Sequence, residues 1–215
     1  MDEAHDGLAI RSQNRSELLL SAAVDAFGKY GYMGASLREI ARDAGSSLTL
    51  IAHHYGNKKT LLDAVIAAFH RAAAGQLIVL RADIDGASTL RMATLVETWV
   101  RYAFALFGNR AGLPYLRLML RLQTDPALDA AARLTLDPAE PTLRRAMRRL
   151  RPGCSQATLD LAWEASSAAL YSSIMRDGGA GAGAGSVGED RRQAALEAFL
   201  AAALNSLFEE ARSLA

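Results

Sequence analysis

Serine, histidine and aspartate, which catalytic sites often use, are present in this 215-residue sequence, but no pattern groups them. One adjacent pair, His53-His54, would point about 100° apart on a helix and could not easily hold one metal ion. Contact with a DNA backbone, or a polar helix end, is the better interpretation. No Gly-x-Ser-x-Gly elbow, phosphate-binding loop or His-Glu-x-x-His helix occurs. The sequence therefore predicts no catalytic residue, no metal site, no cofactor and no enzyme.

One glycine pattern matches the spacing of a dinucleotide-binding loop, at Gly183-Ala-Gly185-Ser-Val-Gly188. That spacing binds a pyrophosphate only when a strand precedes it, and here a predicted helix precedes it. The pattern also lies within Gly178–Gly188, where six of eleven residues are glycine. We therefore interpret this segment as a flexible linker.

A run of arginines near residue 150 offers a second candidate for nucleic-acid binding. It would cover two faces of a helix, and it ends at the break formed by Arg151-Pro152-Gly153. A solvated face with favourable charge near a helix C-terminus is the better interpretation. The run consists of Arg144, Arg145, Arg148, Arg149 and Arg151.

Residues Ala35–Leu62 have the pattern of a helix-turn-helix followed by a third helix. Ser36 and the glutamate three residues later are spaced as a capping box. Gly45 stands where a helix ends in the left-handed conformation. Ser47 can cap the second helix and Asn57 the third. A helix, a glycine turn and a second helix in this order form the unit whose second helix enters the DNA major groove.

The distribution of charge permits this interpretation without proving it. The formal net charge is only +1, so no strong overall basic field attracts nucleic acid. Residues 10–60, however, hold seven basic and four acidic side chains. This local excess permits phosphate binding.

The remaining periodicity predicts an all-α fold of about nine helices with no clear strand. Glycine and proline mark most of the boundaries, including Gly31 after the first helix. The predicted helix before residue 150 has possible breaks at Asp137-Pro138 and Pro141. The predicted helices cover residues 13–30, two segments within 36–55, and residues 58–80, 88–107, 115–123, 127–150, 155–176 and 189–215.

The last helix predicts a homodimer. Its segment Ala194–Leu204 is apolar at ten of eleven positions, and a helix that is apolar nearly all round must be buried on both sides. One side can pack in its own chain, and the other most simply meets a second copy. We therefore predict that the last two helices build the interface, with Trp163, Leu170, Ile174, Leu196, Phe199, Leu200 and Leu207.

Aromatic side chains mixed with a few polar groups on the middle helices suit a pocket for a small molecule. Ordinary core packing explains any single one of them equally well. The predicted pocket residues are Trp99, Tyr102, Tyr115, Met119, Trp163 and Tyr171.

Three features predict a cytoplasmic protein. Cys154 is the single cysteine, which excludes an intrachain disulfide, and packing is its more probable role than reactivity. Residues 1–13 lack the apolar core of a signal peptide. No uncharged apolar run reaches 18 residues.

About a third of the chain, residues 11–70, resembles the TetR family of bacterial transcription regulators. The remaining two thirds match that family only in being helical. The resemblance rests on Ala22-Ala-Val-Asp-Ala-Phe27, Gly31-Tyr32, Ser36-Leu-Arg-Glu-Ile-Ala41, Ala44-Gly45, His53-His54-Tyr55-Gly56-Asn57-Lys58 and Leu61-Leu62.

The resemblance implies a DNA-binding domain over residues 11–70 and a ligand-binding and dimerisation domain over residues 71–215. It also implies an all-helical homodimer whose partners are a double-stranded operator and a small-molecule effector. The side chains that would contact DNA are Ser36, Arg38, Ser47, Leu48, Thr49, His53 and Lys58. Of these, Ser36, His53 and Lys58 would hold phosphates. Ser47, Leu48 and Thr49 would face the groove, with Leu48 against a thymine methyl group and Thr49 against a base edge.

The sequence departs from the family at two positions. Ala52 stands where a phosphate-reaching tyrosine is usual, and Ser46 stands where valine usually packs the turn. The alternative function is therefore a helical small-molecule binding or interaction protein whose DNA binding is weakened.

The implied mechanism is that of a repressor. Two recognition helices related by a two-fold axis would read a pseudo-palindrome with half-sites roughly 34–36 Å apart. An effector in the second domain would shift the helix that begins at Lys58, change this spacing and favour release.

Overall fold

The computed structural model describes residues 3–87, 89–109, 111–128, 136–177 and 187–213. These ranges contain nine α-helices and no strand, so the predicted all-α fold is confirmed. The helices are α1 (Glu3–Gly34), α2 (Leu37–Asp43), α3 (Leu48–Tyr55), α4 (Lys58–Gly86), α5 (Met92–Phe107), α6 (Gly112–Gln123), α7 (Glu140–Leu150), α8 (Gln156–Asp177) and α9 (Val187–Ser213).

One difference from the predicted helices concerns the segment before α7. The sequence predicted a helix over residues 127–150. Residues 129–135 lie outside the described residues, residues 127 and 128 are not helical, and α7 begins only at Glu140. The Asp137 carboxylate accepts a hydrogen bond of 2.8 Å from the backbone N–H of Ala139, which forms a turn where Pro138 already disfavours helix. Pro141 does not break α7, because it lies in the first turn, where no intrahelical N–H is needed.

The predicted glycine linker falls largely outside the described residues. Positions 178–186 are among those that the structure does not describe. The last two residues of the segment, Val187 and Gly188, already belong to α9.

The described residues form two compact units. The first comprises residues 1–72 and 114–136, and the second comprises residues 73–113 and 137–215. Helix α4 runs without interruption from Lys58 to Gly86, so it supplies residues to both units.

The first unit is organised around the buried faces of α1, α2 and α3. Phe27, Ile40 and Ile51, one from each helix, are fully buried. Helix α1 packs against α2, and α2 packs against α3. Helix α4 adds Leu61 and Leu62 to the same core. The helix-turn-helix is therefore supported from behind by apolar packing.

Helix α6 packs into this first unit as well. A Cβ at Gly28 would lie 3.4 Å from the backbone nitrogen of Leu118, so the two backbones are close. The rings of Phe69 and Tyr115 stack at 3.5 Å between centroids with planes 5° apart. The Tyr115 hydroxyl donates a 3.1 Å hydrogen bond to the carbonyl of Leu136.

The second unit is built around α5, which packs against α7, α8 and α9. Ten of the 16 residues of α5 are buried, and Trp99 and Phe107 among them are fully buried. Helix α9 contributes Leu200, Leu204 and Phe208 to this core. The unit is therefore a helical bundle with α5 at its centre.

Within the described ranges, α4 is the one helix long and apolar enough by composition to cross a membrane. Leu61, Leu62 and Val65 in its first turns are buried. Length and composition alone are weak evidence for a membrane span.

Candidate nucleic-acid interface

The turn between α2 and α3 is fixed by backbone geometry at Gly45. This glycine has φ +60°, which confirms the predicted left-handed residue. Its N–H donates to the Arg42 carbonyl at 3.0 Å, and the Ser46 N–H donates to the Ala41 carbonyl at 2.8 Å. These two bonds form a Schellman motif, so the angle between α2 and α3 is set by the main chain.

Two of the three predicted helix caps form. The Ser47 hydroxyl accepts from the Leu50 N–H at 3.1 Å, and the Asn57 side chain accepts from the Thr60 N–H at 3.0 Å. Ser36 does occupy the N-cap of α2, but its side chain makes no capping hydrogen bond. The predicted capping box is therefore wrong, since the first turn of α2 closes on backbone bonds alone.

Ser46, one of the two departures from the family pattern, introduces a hydroxyl group at this turn. Its hydroxyl oxygen is buried, and it has no hydrogen-bond partner among the described residues. A buried polar group without a partner costs roughly 1–3 kcal/mol. The turn is therefore less stable than one with an apolar side chain at this position.

Helix α3 buries one side and exposes the other. Ile51 is fully buried against the core of the first unit. Five other residues of the helix are exposed, namely Leu48, Thr49, Ala52, His53 and His54. This exposed face holds three of the side chains predicted to contact DNA, and a helix of this width fits the major groove.

Lys58 has a structural role that the sequence did not reveal. Its ammonium donates to the carbonyls of Met33 and Ala35 at 3.0 and 3.1 Å. It also lies 5.0 Å from the centre of the Tyr32 ring, a favourable cation–π distance. Two of its three donors therefore tie the end of α1 and the start of α2 to the start of α4.

Two other cations of this region lie beside acids. Arg42 pairs with Asp43 at 3.0 Å, and Lys59 pairs with Asp63 at 3.0 Å. Both pairs are exposed, where an ion pair contributes little to stability. Arg38 is exposed on α2. The acids reduce the positive charge that this part of the surface presents.

A brace around Gly31 was not predicted. Helix α1 extends to Gly34 but is kinked at Gly31, which has the non-helical angles φ 73° and ψ 174°. The Tyr32 N–H beside it donates to the Asp125 carboxylate at 2.9 Å. The sequence predicted that Gly31 ends the first helix, but no local pattern indicates a partner 93 residues away.

A second unpredicted contact joins α1 to the end of α3. The hydroxyl groups of Ser16 and Tyr55 lie 3.2 Å apart, within hydrogen-bond distance. This bond ties the end of α3 to α1.

The six residues predicted to line a ligand pocket divide between the two units. Tyr115 and Met119 are buried in the first unit, on α6. The other four are buried in the second unit, at 4% exposure or less. They are Trp99, Tyr102, Trp163 and Tyr171.

The four in the second unit pack as a core. The rings of Trp99 and Trp163 stack at 5.1 Å with planes 17° apart. The Tyr171 hydroxyl donates to the buried Asp137 carboxylate. Burial raises the pKa of Tyr171 well above its usual value, and the neighbouring carboxylate raises it further. Tyr171 therefore stays a hydrogen-bond donor, and Asp137 couples the turn before α7 to α8.

A cavity of about 660 Å³ opens elsewhere in the second unit. It lies between the turn before α8 and the last turns of α9, and its wall includes Cys154, Phe208 and Arg212. None of the six predicted pocket residues lines it.

The arginines near residue 150 serve mainly to join helices. Arg144 bridges Glu140 and Asp160 and lies 5.7 Å from the centre of the Trp163 ring. Burial raises the pKa of Glu140, although its hydrogen bond to Arg144 acts in the opposite direction. The same arginine lowers the pKa of Asp160. Three further arginines bond within the second unit: Arg148 to Gln156, Arg149 to Asp85, and Arg151 to Asn205.

The predicted dimer residues are mostly buried inside one chain. Phe199 is 60% exposed, whereas Leu196 and Leu207 are half-buried. The other four, Trp163, Leu170, Ile174 and Leu200, are at most 3% exposed. These four side chains can pack under an interface but cannot contact a second copy directly. Among the seven predicted residues, Phe199 alone has a large exposed surface.

Within the ranges that the structure describes, no three His, Cys, Asp or Glu side chains come close enough to hold a metal ion. The His53 and His54 rings meet edge to face at 5.3 Å.

Comparison of the sequence with known proteins finds one family over the helix-turn-helix. Residues 19–65 match the model of the bacterial regulatory proteins, tetR family. The HTH-type transcriptional dual regulator CecR of Shigella flexneri is 37% identical over 54 residues. That match covers 25% of this chain and 24% of the regulator, so the chain spans about a quarter of its curated relative.

Solved structures extend the likeness to the whole fold. A TetR-like transcriptional regulator from Rhodococcus sp. RHA1 aligns over 93% of this chain and 96% of its own length, with a TM-score of 0.59 and 18% identity. A tetR family transcription regulator from Shewanella sp. PV-4 aligns over 90% and 95%, with a TM-score of 0.54 and 16% identity. At such identity the likeness establishes the fold alone.

Proposed function

We propose that the chain is a TetR-family transcriptional regulator, and specifically a cytoplasmic repressor that binds a pseudo-palindromic operator as a homodimer. The observation that carries the proposal is the exposed face of α3. The turn at Gly45 sets the orientation of this helix, and the buried Ile51 anchors its opposite face in the core of the first unit. A helix presented in this way can enter the major groove without rearrangement.

The proposed contacts combine phosphate binding with base reading. Ser36, Arg38, His53 and the remaining donor of Lys58 would contact phosphates, and three of these lie at the starts of α2 and α4. Leu48 and Thr49, with Ser47 at the N-cap of α3, would face the base edges. Few unpaired cations support this surface, so the electrostatic part of the affinity is modest.

Release would be driven by a small molecule bound in the second unit. The uninterrupted α4 supports this step, because it supplies residues to both units and carries Lys58 at its first position. Lys58 ties α4 to the carbonyls of Met33 and Ala35. A ligand that favours one placement of α4 would therefore bias the helix-turn-helix.

The affinity for DNA is expected to depend on salt, but less steeply than for a strongly basic repressor. If Arg38 and Lys58 of each protomer neutralise one phosphate each, the slope of log K against log[salt] is roughly −3.6. Affinity should then fall on the order of 100-fold between about 50 and 200 mM salt. Fluorescence anisotropy with the duplex upstream of the gene would measure this slope, against a scrambled duplex of equal length.

Two variants test the assignment of the phosphate contacts. Arg38→Gln should make the slope less negative by roughly 2, since the dimer loses two contacts. Arg101→Gln, which removes an exposed arginine of the second unit paired with Asp83, should leave the slope unchanged. Absence of binding at low salt to any duplex would contradict the DNA-binding role and favour the alternative, a helical small-molecule binding protein.

Phe199 is expected to be central to the homodimer. Its exposed ring lies on α9 among small exposed residues, namely Ala195, Ala198, Ala202 and Ala203. Small residues allow two helices to approach closely, and a large exposed aromatic ring is typical of an interface.

Phe199→Glu should raise the dissociation constant of the dimer at least about tenfold. The variant should then sediment as a monomer in sedimentation velocity at micromolar concentration. Ile78→Glu alters a side chain that is 66% exposed on α4, and it should leave the dimer intact. A wild-type chain that sediments as a monomer would contradict the proposed homodimer.

A further inference from the structure

The exposed face of α3 lacks the side chains that most often identify bases. Guanine is usually recognised by arginine or lysine and adenine by asparagine or glutamine, because each pair forms two parallel hydrogen bonds. Helix α3 reads Leu-Thr-Leu-Ile-Ala-His-His-Tyr from residue 48 to 55 and contains none of these four types. Base recognition by α3 must therefore use other chemistry.

Methyl groups dominate what α3 does present. With about 100° between successive residues, Thr49 and His53 lie opposite the buried Ile51, and Ala52 lies beside them. Leu48 adds a side chain that is 39% exposed at the N-terminal end. His54 is exposed as well, so three of the five exposed side chains of α3 carry methyl groups. The groove feature that such side chains recognise is the C5-methyl group of thymine.

The alanine at position 52 strengthens this chemistry. Its side chain is exposed and extends only one carbon from the backbone. A long side chain at this position would hold the helix away from the base edges, whereas alanine lets the backbone approach. Ala52 therefore removes the phosphate contact that a tyrosine would make, and it also brings methyl groups of the protein within reach of the bases.

Side chains near α3 do not supply the missing pairs of hydrogen bonds. The Asn57 amide oxygen is used to cap α4. Arg42 is paired with Asp43. His53 can give at most one hydrogen bond to a base at a time from its exposed edge. Arg38, on α2, remains the proposed phosphate contact.

We propose that α3 selects its operator by contact of Leu48, Thr49 and Ala52 with thymine methyl groups, so that each half-site presents T·A pairs to this face. The proposal rests on the proposed DNA-binding function. It assigns sequence specificity to apolar contact and leaves phosphate contacts to position the helix.

Replacement of thymine by uracil tests the proposal directly, because it removes the C5-methyl group and keeps the base pair. A high-affinity duplex is first selected from a random pool with the full-length chain. Uracil is then placed at each thymine in turn, and binding is measured by anisotropy. At thymines that contact α3, the affinity for the duplex should fall roughly fourfold for each methyl group removed. Uracil at thymines outside the α3-facing positions is the control and should have no such effect.

A protein variant locates the partner of each methyl group. Thr49→Ser keeps the hydroxyl and removes only the methyl group, so the uracil penalty should shrink at one position of each half-site. Leu48→Ala should do the same at a different position. Circular dichroism would show that both variants fold like the wild-type chain.

Two outcomes would overturn the proposal, and they are distinguishable. A selected duplex that binds equally well with uracil at every thymine, or one with G·C pairs under α3, rejects thymine reading but leaves DNA binding in place. Failure to enrich any duplex over the starting pool rejects the DNA-binding function and the proposal with it.

Discussion

Trp99→Ala is expected to lower the free energy of unfolding by about 3–5 kcal/mol. The indole is fully buried on α5, the central helix of the second unit, and stacks on Trp163 at 5.1 Å. Truncation removes this stacking and leaves a cavity that rigid helices can only partly fill. The midpoint of urea unfolding, followed by circular dichroism, would measure the loss.

Trp99→Phe is the matched control, because it keeps an aromatic ring in the same site and should cost clearly less. The pair of variants also separates packing from ligand binding. If Trp99 instead lines an effector pocket, as the sequence predicted, Trp99→Ala should leave the urea midpoint unchanged and abolish the response to the effector. An unchanged midpoint would therefore contradict the core role.

Gly31→Ala is expected to destabilise the helix-turn-helix by about 1–3 kcal/mol from backbone strain alone. Its φ of 73° with ψ of 174° lies in a region that is almost restricted to glycine. A Cβ at this position would also lie 3.2 Å from the Asp125 carboxylate and 3.3 Å from the Arg121 side chain. Relief of this crowding would disturb the hydrogen bond from the Tyr32 N–H to Asp125.

DNA binding should weaken together with stability in this variant. Tyr32 lies under the Lys58 ammonium, and Lys58 holds the residues that lead into α2. Thermal unfolding and anisotropy on the same preparation would report both effects.

Gly75→Ala is the matched control for this prediction. It makes the same substitution in the middle of α4, where a Cβ meets nothing within 4 Å. It should stabilise the protein slightly, by about 0.5–1 kcal/mol, because alanine favours a helix over glycine. Equal stability of Gly31→Ala and Gly75→Ala would show that the kink is not required.

Local signals in the sequence predicted the helix-turn-helix well, because they depend on residues a few positions apart. Gly45 adopts the left-handed conformation, and Ser47 and Asn57 cap their helices. The same kind of signal failed at Ser36, where the spacing was right but the side-chain bond does not form. A capping motif shows that a side-chain hydrogen bond is possible. Whether that hydrogen bond forms depends on the surrounding contacts.

Helical periodicity predicted which residues share an apolar face of a helix, but it did not predict which other helices pack on that face. Leu200 and Phe199 are neighbours in an apolar run, yet one is buried in its own chain and the other is 60% exposed. Aromatic residues expected to line a pocket are likewise packed as core, and Tyr115 belongs to a different unit from Trp99. Burial depends on which helices meet, and periodicity within one helix does not contain that information.

The sequence by itself determined the all-α class, the helix-turn-helix at residues 36–55 and its resemblance to the TetR family. These follow from capping residues, turn glycines and apolar spacing, which act over one or two helical turns. Only the tertiary structure decided that Lys58 bonds the carbonyls of Met33 and Ala35 and that Asp125 braces the kink at Gly31. Those contacts join residues 23 to 93 positions apart, and folding brings them together through packing that no local pattern encodes.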